Sequence, residues 1–373
     1  MSRINEKRLI DNFMSLASID SPTYGERMVA DEILRRLQAL GIQAEEDRAG
    51  EALGGNSGNL IARVPGTIEA SPLLFCAHMD TVEPSRGKKP VLSGDGTISS
   101  AGDTVLGADD LGGVSEILEA LTVILEEGLP HRPLELVFPV AEEAYTRGSH
   151  QLDLGKLEAK EGYVLDLAGR PGGVAHQAPT ILYFRATFCG KAAHAGECPE
   201  RGIHAIAAAA KAVASVQNGH VDGETTVNIG TIHGGTGVNV VPESCVVEGE
   251  VRSFRHESAL SRYEKIRESF LSAAGESGAK VEMEDEVRTV AYLVSEESPV
   301  YQRLGRACRK VGLSLHPVRT FGGSDANTFN EKGIHSLVVA NAMYQIHTCG
   351  EYTHVQELCR AADLVLELML DRE

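Results

Sequence analysis

The segment Val137 to Tyr145, VFPVAEEAY, constrains the chain more than any other, because a strongly apolar run ends abruptly in two adjacent carboxylates. A strand that buries its sides and stops at Glu142 and Glu143 sets two acids at its carboxyl end, the edge where open α/β sheets hold their ligands. Neighbouring residues on an extended chain point opposite ways, so one carboxylate can grip a cation while the other faces a substrate. An isolated pair of this kind is most simply two solvated glutamates. Here three other strand-like runs end in metal-compatible side chains: Leu73 to Asp80 (LLFCAHMD) at His78 and Asp80, Tyr163 to Asp166 (YVLD) at Asp166, and Ser336 to Ile346 running into His347. Period-two alternation puts His78 and Asp80 on one face, so that Asp80 can reach His78 and fix its tautomer. In Gly107 to Gly113 (GADDLGG), Asp109 and Asp110 precede a helical run with Val114, Ile117, Leu118, Leu121 and Leu125 at helix spacing. Acids there also suit a helix N-terminus without any further role.

Strands alternate with helices up to about residue 178, which predicts an α/β domain with a mainly parallel sheet and helices on both faces. Residues 4–17 and 25–40 read as amphipathic helices. The second follows Pro22 and a capping-box pattern, Thr23-x-x-Glu26, and carries Leu34, Leu37 and Leu40 as its stripe. Ser93 to Gly107 reads as a glycine-rich loop. The pattern changes between about 180 and 290 to strand, alanine-rich helix, two strands, helix, strand, the order of a ferredoxin-like α+β unit. A helix from Pro299, a glycine-rich GGSDAN turn, the strand toward His347 and a closing helix from about Val355 follow. The expectation is a discontinuous catalytic domain, 1–179 with 291–373, carrying an inserted lid and dimerisation domain at 180–290.

Net charge and cysteine usage narrow the functional classes. At −18 the chain is a poor partner for nucleic acid or an anionic membrane. No apolar run is long enough to span a bilayer and no signal-peptide pattern opens the chain. Seven cysteines without CxxC spacing suit buried thiols in a reducing compartment, by default the cytoplasm.

In order and local context, HMDT, GADDLGG, the EE pair, YVLD and the late histidine resemble the M20 metallopeptidases, and most closely their peptidase T-like, tripeptide aminopeptidase branch. The likeness spans nearly the whole chain. It implies two divalent ions per chain that share a bridging carboxylate, with His78, Asp109 and Asp166 on one and Asp109, Glu143 and His347 on the other. Glu142 would be the general base. Imidazole and carboxylate donors without thiolate suit zinc, with cobalt or manganese also compatible. Within the insertion, His194 in AHAGECPERG resembles a histidine that stabilises the oxyanion from the partner subunit of a homodimer, and Asn239 in GGTGVNVVP resembles a substrate-contacting asparagine. Arg252, in GEVRS where relatives often have Asp-x-Arg, would pair with a substrate carboxylate. Glu250 stands in place of the usual Asp, and His204 where an Asn is common. The implied activity is removal of the first residue of short peptides. The same metal core would also serve an N-acyl amino acid deacylase or a carboxypeptidase, and a metal-binding regulatory scaffold is the rival from another class.

Overall fold

The computed structural model describes residues 2–372, which form two compact units. The first comprises Met1–Gln177, Leu293–Thr320 and Ser324–Glu373; the second comprises Ala178–Tyr292 together with Phe321–Gly323. The second unit thus takes in three residues from well beyond the inserted segment.

The first unit is built on an eight-stranded sheet in the spatial order Ala44–Glu46, Leu60–Val64, Leu134–Phe138, Leu73–Cys76, Glu161–Leu167, His335–Ala340, Gly173–Ala175, His316–Pro317. The four central strands, from Leu134–Phe138 to His335–Ala340, run parallel, whereas the pairings of Ala44–Glu46, of Leu60–Val64 and of Gly173–Ala175 with His335–Ala340 are antiparallel. The sheet is mainly parallel at its centre and mixed toward its edges. Strands 73–76 and 134–138 are buried along their whole length, which explains why they read as continuous apolar runs. The helix Ala108–Glu127 is likewise buried on nearly all sides and packs against Glu6–Ala17 and Val355–Met369. Because the central strands are parallel, the segments that leave their carboxyl ends gather along one edge.

Several local expectations are corrected. The strand expected to stop at Glu142 ends at Phe138: Pro139 lacks an N–H to continue the ladder, and Ala141, Tyr145 and Thr146 adopt positive φ. Likewise His78 and Asp80 lie just past the strand that ends at Cys76, and His347 lies beyond strand 335–340, in a turn. Thr23-x-x-Glu26 forms no capping box. Thr23 donates instead to Asp80 (2.8 Å), and Glu26 accepts from the N–H groups of Tyr24 and Ala141. The helix that follows, Arg27–Ala39, buries Val29, Ala30, Ile33 and Leu37, while Leu34 and Leu40 are only half-buried. Ser93 to Gly107 contains a strand, Thr97–Ser100, in a separate antiparallel sheet with Pro90–Leu92, Tyr352–His354 and Met343–Tyr344. The GGSDAN turn opens the helix Asp325–Glu331, capped by Ser324 with Asn327 completing the box.

Gly148 packs against the backbone that leads into the glutamate pair. A Cβ built there would lie 1.8 Å from the carbonyl oxygen of Val140. Gly148→Ala is therefore expected to lower stability by about 1–3 kcal/mol or more in denaturant unfolding, because neither backbone can yield without breaking the Asn59 bonds to Val140 N and Gly148 O.

The second unit is a five-stranded antiparallel sheet, in the order Gly219–His220, Thr225–Gly234, Ser244–Ser253, Thr180–Cys189, Lys280–Thr289, with the helices Ala205–Ser215 and His256–Glu276 against it. The small residues Ala205, Ala208, Ala209 and Ala212 recur at helix spacing and are buried, joining Phe184, Phe188 and Phe270 in one core. The four long strands keep the split order of a ferredoxin-like unit.

Candidate metal centre

The edge formed by the parallel strands brings six of the sequence-selected side chains together: His78, Asp109, Glu142, Glu143, Asp166 and His347. Asp109 is central. Its Oδ1 lies 3.0 Å from His78 Nε2, and its Oδ2 lies 3.3 Å from His347 Nε2. One carboxylate therefore faces two imidazoles through its two oxygens, the arrangement of a bridging ligand. Asp166 approaches the first imidazole, 3.9 Å from His78 Nε2, and Glu143 the second, 3.2 Å from His347 Nε2. Ligand atoms of His78, Asp109 and Asp166 lie within 4.8 Å of one another, as do those of Asp109, Glu143 and His347. A third such set, His78, Glu142 and Glu143, keeps Glu142 within the same reach.

The electrostatics of these side chains fit a cationic guest. Burial raises the carboxyls of Glu142 and Asp166 well above the ordinary range, and the charge of Asp166 adds to the effect on Glu142. Burial also works on Asp109, but hydrogen bonds from His347 and His78 outweigh it and hold that carboxyl low. The His347 imidazole is raised to about 10 by its bonds to Asp109 and Glu143. Glu143 Oε1 is buried and has no hydrogen-bond partner. Crowded carboxylates, an orphaned carboxylate oxygen and two imidazoles with no thiolate form a candidate dimetal site.

Asp80 reaches His78 through both its main-chain carbonyl and its carboxylate. The ring nitrogen Nδ1 is 2.9 Å from the Asp80 main-chain carbonyl and 3.5 Å from its carboxylate. The backbone oxygen is thus the closer partner that sets the tautomer. The Asp80 carboxylate also accepts from the N–H groups of Glu142 (2.9 Å) and Glu143 (3.2 Å), and Glu26 accepts from Ala141 N (3.0 Å). Three consecutive amides of the glutamate turn are therefore held by buried carboxylates from elsewhere in the chain. Asp110 plays a similar part, accepting from His78 N, Gly113 N and Asn341 Nδ2.

Four buried acids around the centre escaped the sequence reading as contributors: Glu26, Asp110, Asp325 and Glu351. Burial raises the Asp325 carboxyl to about 6, and Asp325 lies under the strand end with Oδ2 3.8 Å from Cys76 Sγ. Only Asp110 carried a local signal, its pairing with Asp109.

The remaining selected residues belong to the second unit. His194 is exposed, and its Nδ1 accepts from the N–H groups of Gly196 and Glu197 (3.2 and 3.1 Å). An accepting Nδ1 leaves the proton on Nε2, so the ring presents a neutral donor outward. Ala195 N donates to the carbonyl of Asn239, tying the two loops together, and Asn239 is exposed. Arg252 is engaged: two guanidinium nitrogens bond Glu250 (2.7 and 3.1 Å), and Nη1 donates to the carbonyl of Phe321. Glu250 therefore works as the arginine's anchor. His204 caps the helix Ala205–Ser215 by accepting from Ala207 N, the task an asparagine would perform.

Comparison with known proteins bears on both units. The peptidase dimerisation domain of the M20 type matches residues 179–279, and peptidase family M28 matches residues 59–173. The chain is 36% identical to the uncharacterized protein YqjE of Bacillus subtilis, over 98% of each chain. Among solved structures, aminopeptidase PepT from Bacillus cereus is similar with a TM-score of 0.91 at 36% identity, covering 99% of both chains. A tripeptidase from Staphylococcus aureus is similar with a TM-score of 0.95 at 35% identity, covering 99% of this chain and 98% of that one. Among the described residues, no helix is long and apolar enough to cross a membrane.

Proposed function

Because the chain belongs to the M20 family of metallopeptidases, in its peptidase T-like branch, we propose that it is a two-metal aminopeptidase that releases the N-terminal residue of short peptides. The observation that carries the proposal is the Asp109 carboxylate, one oxygen against His78 and the other against His347. His78, Asp109 and Asp166 would hold one ion, and Asp109, Glu143 and His347 the other. When bound, such a pair lowers the pKa of a shared water and polarises the scissile carbonyl. Glu142 is the residue that would serve as general base toward the attacking water and return the proton to the leaving nitrogen. His194, with Nε2–H outward, donates to the developing oxyanion. Asn239 contacts the substrate. Arg252 serves a substrate carboxylate through the nitrogen now spent on the Phe321 carbonyl, while Glu250 keeps the guanidinium oriented.

The second unit makes a homodimer, in keeping with its match to the dimerisation domain. All seven cysteines are free thiols, which suits the reducing cytoplasm.

Chelator-treated protein is expected to lose peptidase activity and to recover it with about two zinc ions per chain, read by elemental analysis alongside the assay. Full activity in metal-free protein would end the two-metal reading. A panel of free, N-acetylated and C-amidated tripeptides then fixes the reaction by product mass. Cleavage that requires a free amino terminus supports the aminopeptidase, whereas cleavage confined to acylated amino acids would replace it with a deacylase.

A further inference from the structure

Glu351 follows His347 by four residues in a turn closed by the bond from Glu351 N to Thr348 O. Its side chain leaves that turn for the interior, where it is 2% exposed. There its Oε2 accepts from the N–H groups of Leu106 (2.7 Å) and Gly107 (2.8 Å), and its Oε1 from the N–H of Asp109 (2.9 Å). Three amides of one ligand-bearing segment are thus gathered by one carboxylate from the other.

Those amides need an outside acceptor. The helix Ala108–Glu127 begins here, Gly107 is left-handed at φ 82°, and Asp109 departs from helical geometry, so the first N–H groups have no carbonyl in their own turn to meet. The position of Gly107 is also fixed from below: a Cβ there would come within 3.0 Å of Lys88 Nζ and 3.1 Å of Thr81 Cγ2. Lys88 is buried with Nζ 3.2 Å from Thr81 Oγ1, and it supplies positive charge near the Glu351 carboxylate. By contrast, His347 itself is half exposed, and its imidazole faces Asp109 and Glu143, the groups with which it would share an ion. The strands that flank the turn, Met343–Tyr344 and Tyr352–His354, tie it to the Thr97–Ser100 sheet, and Glu351 is the side chain that ties it to the Asp109 segment.

We infer that Glu351 is a positioning residue of the metal centre: by clamping the amides of Leu106, Gly107 and Asp109, it joins the His347 turn to the bridging aspartate and sets the spacing of the second ion's ligands. The role rests on the two-metal reading above. It differs from simple core stability because the two segments it joins each end in a ligand to the same ion.

The test is metal affinity, read without turnover. Metal-free full-length protein is titrated with zinc against a chromophoric chelator, for the wild type and Glu351→Gln. The glutamine keeps one acceptor oxygen but turns an amide donor toward at least one of the three N–H groups. The weaker of the two zinc affinities is expected to fall by about 10–100-fold, the usual effect of removing an outer-shell partner. Glu351→Asp keeps the charge but retracts it by one methylene, and should fall between the two; if Glu351→Gln fails to fold, this variant decides by the same criterion. Arg303→Lys provides the control for general destabilisation, since Arg303 is buried among Glu161 and Asp371 at the opposite end of strand 161–167, and its zinc affinities should match the wild type. Unchanged affinities for both ions in a folded Glu351 variant, or an equal loss in Arg303→Lys, would overturn the role. Wild-type protein that takes up no zinc would instead remove the two-metal reading itself, and this role with it.

Discussion

Glu142→Ala is expected to lower turnover on a tripeptide by at least ~10²-fold while leaving about two metal ions per chain. Glu143→Ala should lose metal as well as rate. The two side chains are neighbours in sequence and both are largely buried, but their surroundings differ. Glu143 Oε2 lies 3.2 Å from His347 and its other oxygen has no partner, as befits a ligand. Burial raises both carboxyls, with the charge of Asp166 adding to the effect on Glu142, and the Glu142 carboxylate lacks the close imidazole contact that Glu143 makes. Its ligand atom also falls within reach of His78 and Glu143, so composition and proximity alone do not separate the roles. Metal content does. Equal loss of metal in both variants would mean that Glu142 is itself a ligand and that the base lies elsewhere.

His194→Ala should cost about 10²–10³ in turnover, the usual loss on removing one oxyanion donor. The ring is already oriented for donation, since the amides of Gly196 and Glu197 occupy Nδ1 and leave Nε2–H free to point away from its own loop. If donation crosses the dimer, mixing His194→Ala with Glu142→Ala restores activity. Each hybrid then contains one doubly damaged site and one intact site, giving about half the activity of a wild-type dimer, because each chain supplies what the other lacks. Absence of recovery, with subunit exchange verified by mass-labelled chains, would assign His194 to its own chain or to no catalytic task.

The clustering of the candidate ligands was legible because metal-compatible side chains stood at or just past the ends of apolar runs, and parallel strands carry such ends to one edge. The alternation of types over residues 180–290 was equally plain, since each strand and helix there keeps its own period. What escaped detection was the scaffold of the site. Glu26, Asp110 and Glu351 act by accepting backbone N–H groups from other segments, and a carboxylate engaged that way looks in sequence like any surface acid. Thr23 and Glu26 illustrate the failure well: their spacing satisfies the local capping rule, yet both side chains are diverted, to Asp80 and to Ala141 N respectively. The same holds for the glutamate pair, whose chain turns through positive φ at Ala141 where a continued strand was expected. Local pattern competes with tertiary partners, and beside a buried cluster of charge the tertiary partners win.

Strand His335–Ala340 lies between Glu161–Leu167 and Gly173–Ala175, two strands that leave the ribosome only a few residues apart. During synthesis those two cannot close on each other. They must wait, with unpaired edges facing a slot, for a segment made more than 150 residues later. Completing the sheet is therefore a late, long-range event, and such non-local pairing is slow. Until then the nascent chain exposes a sticky edge of the sort that chaperones recognise.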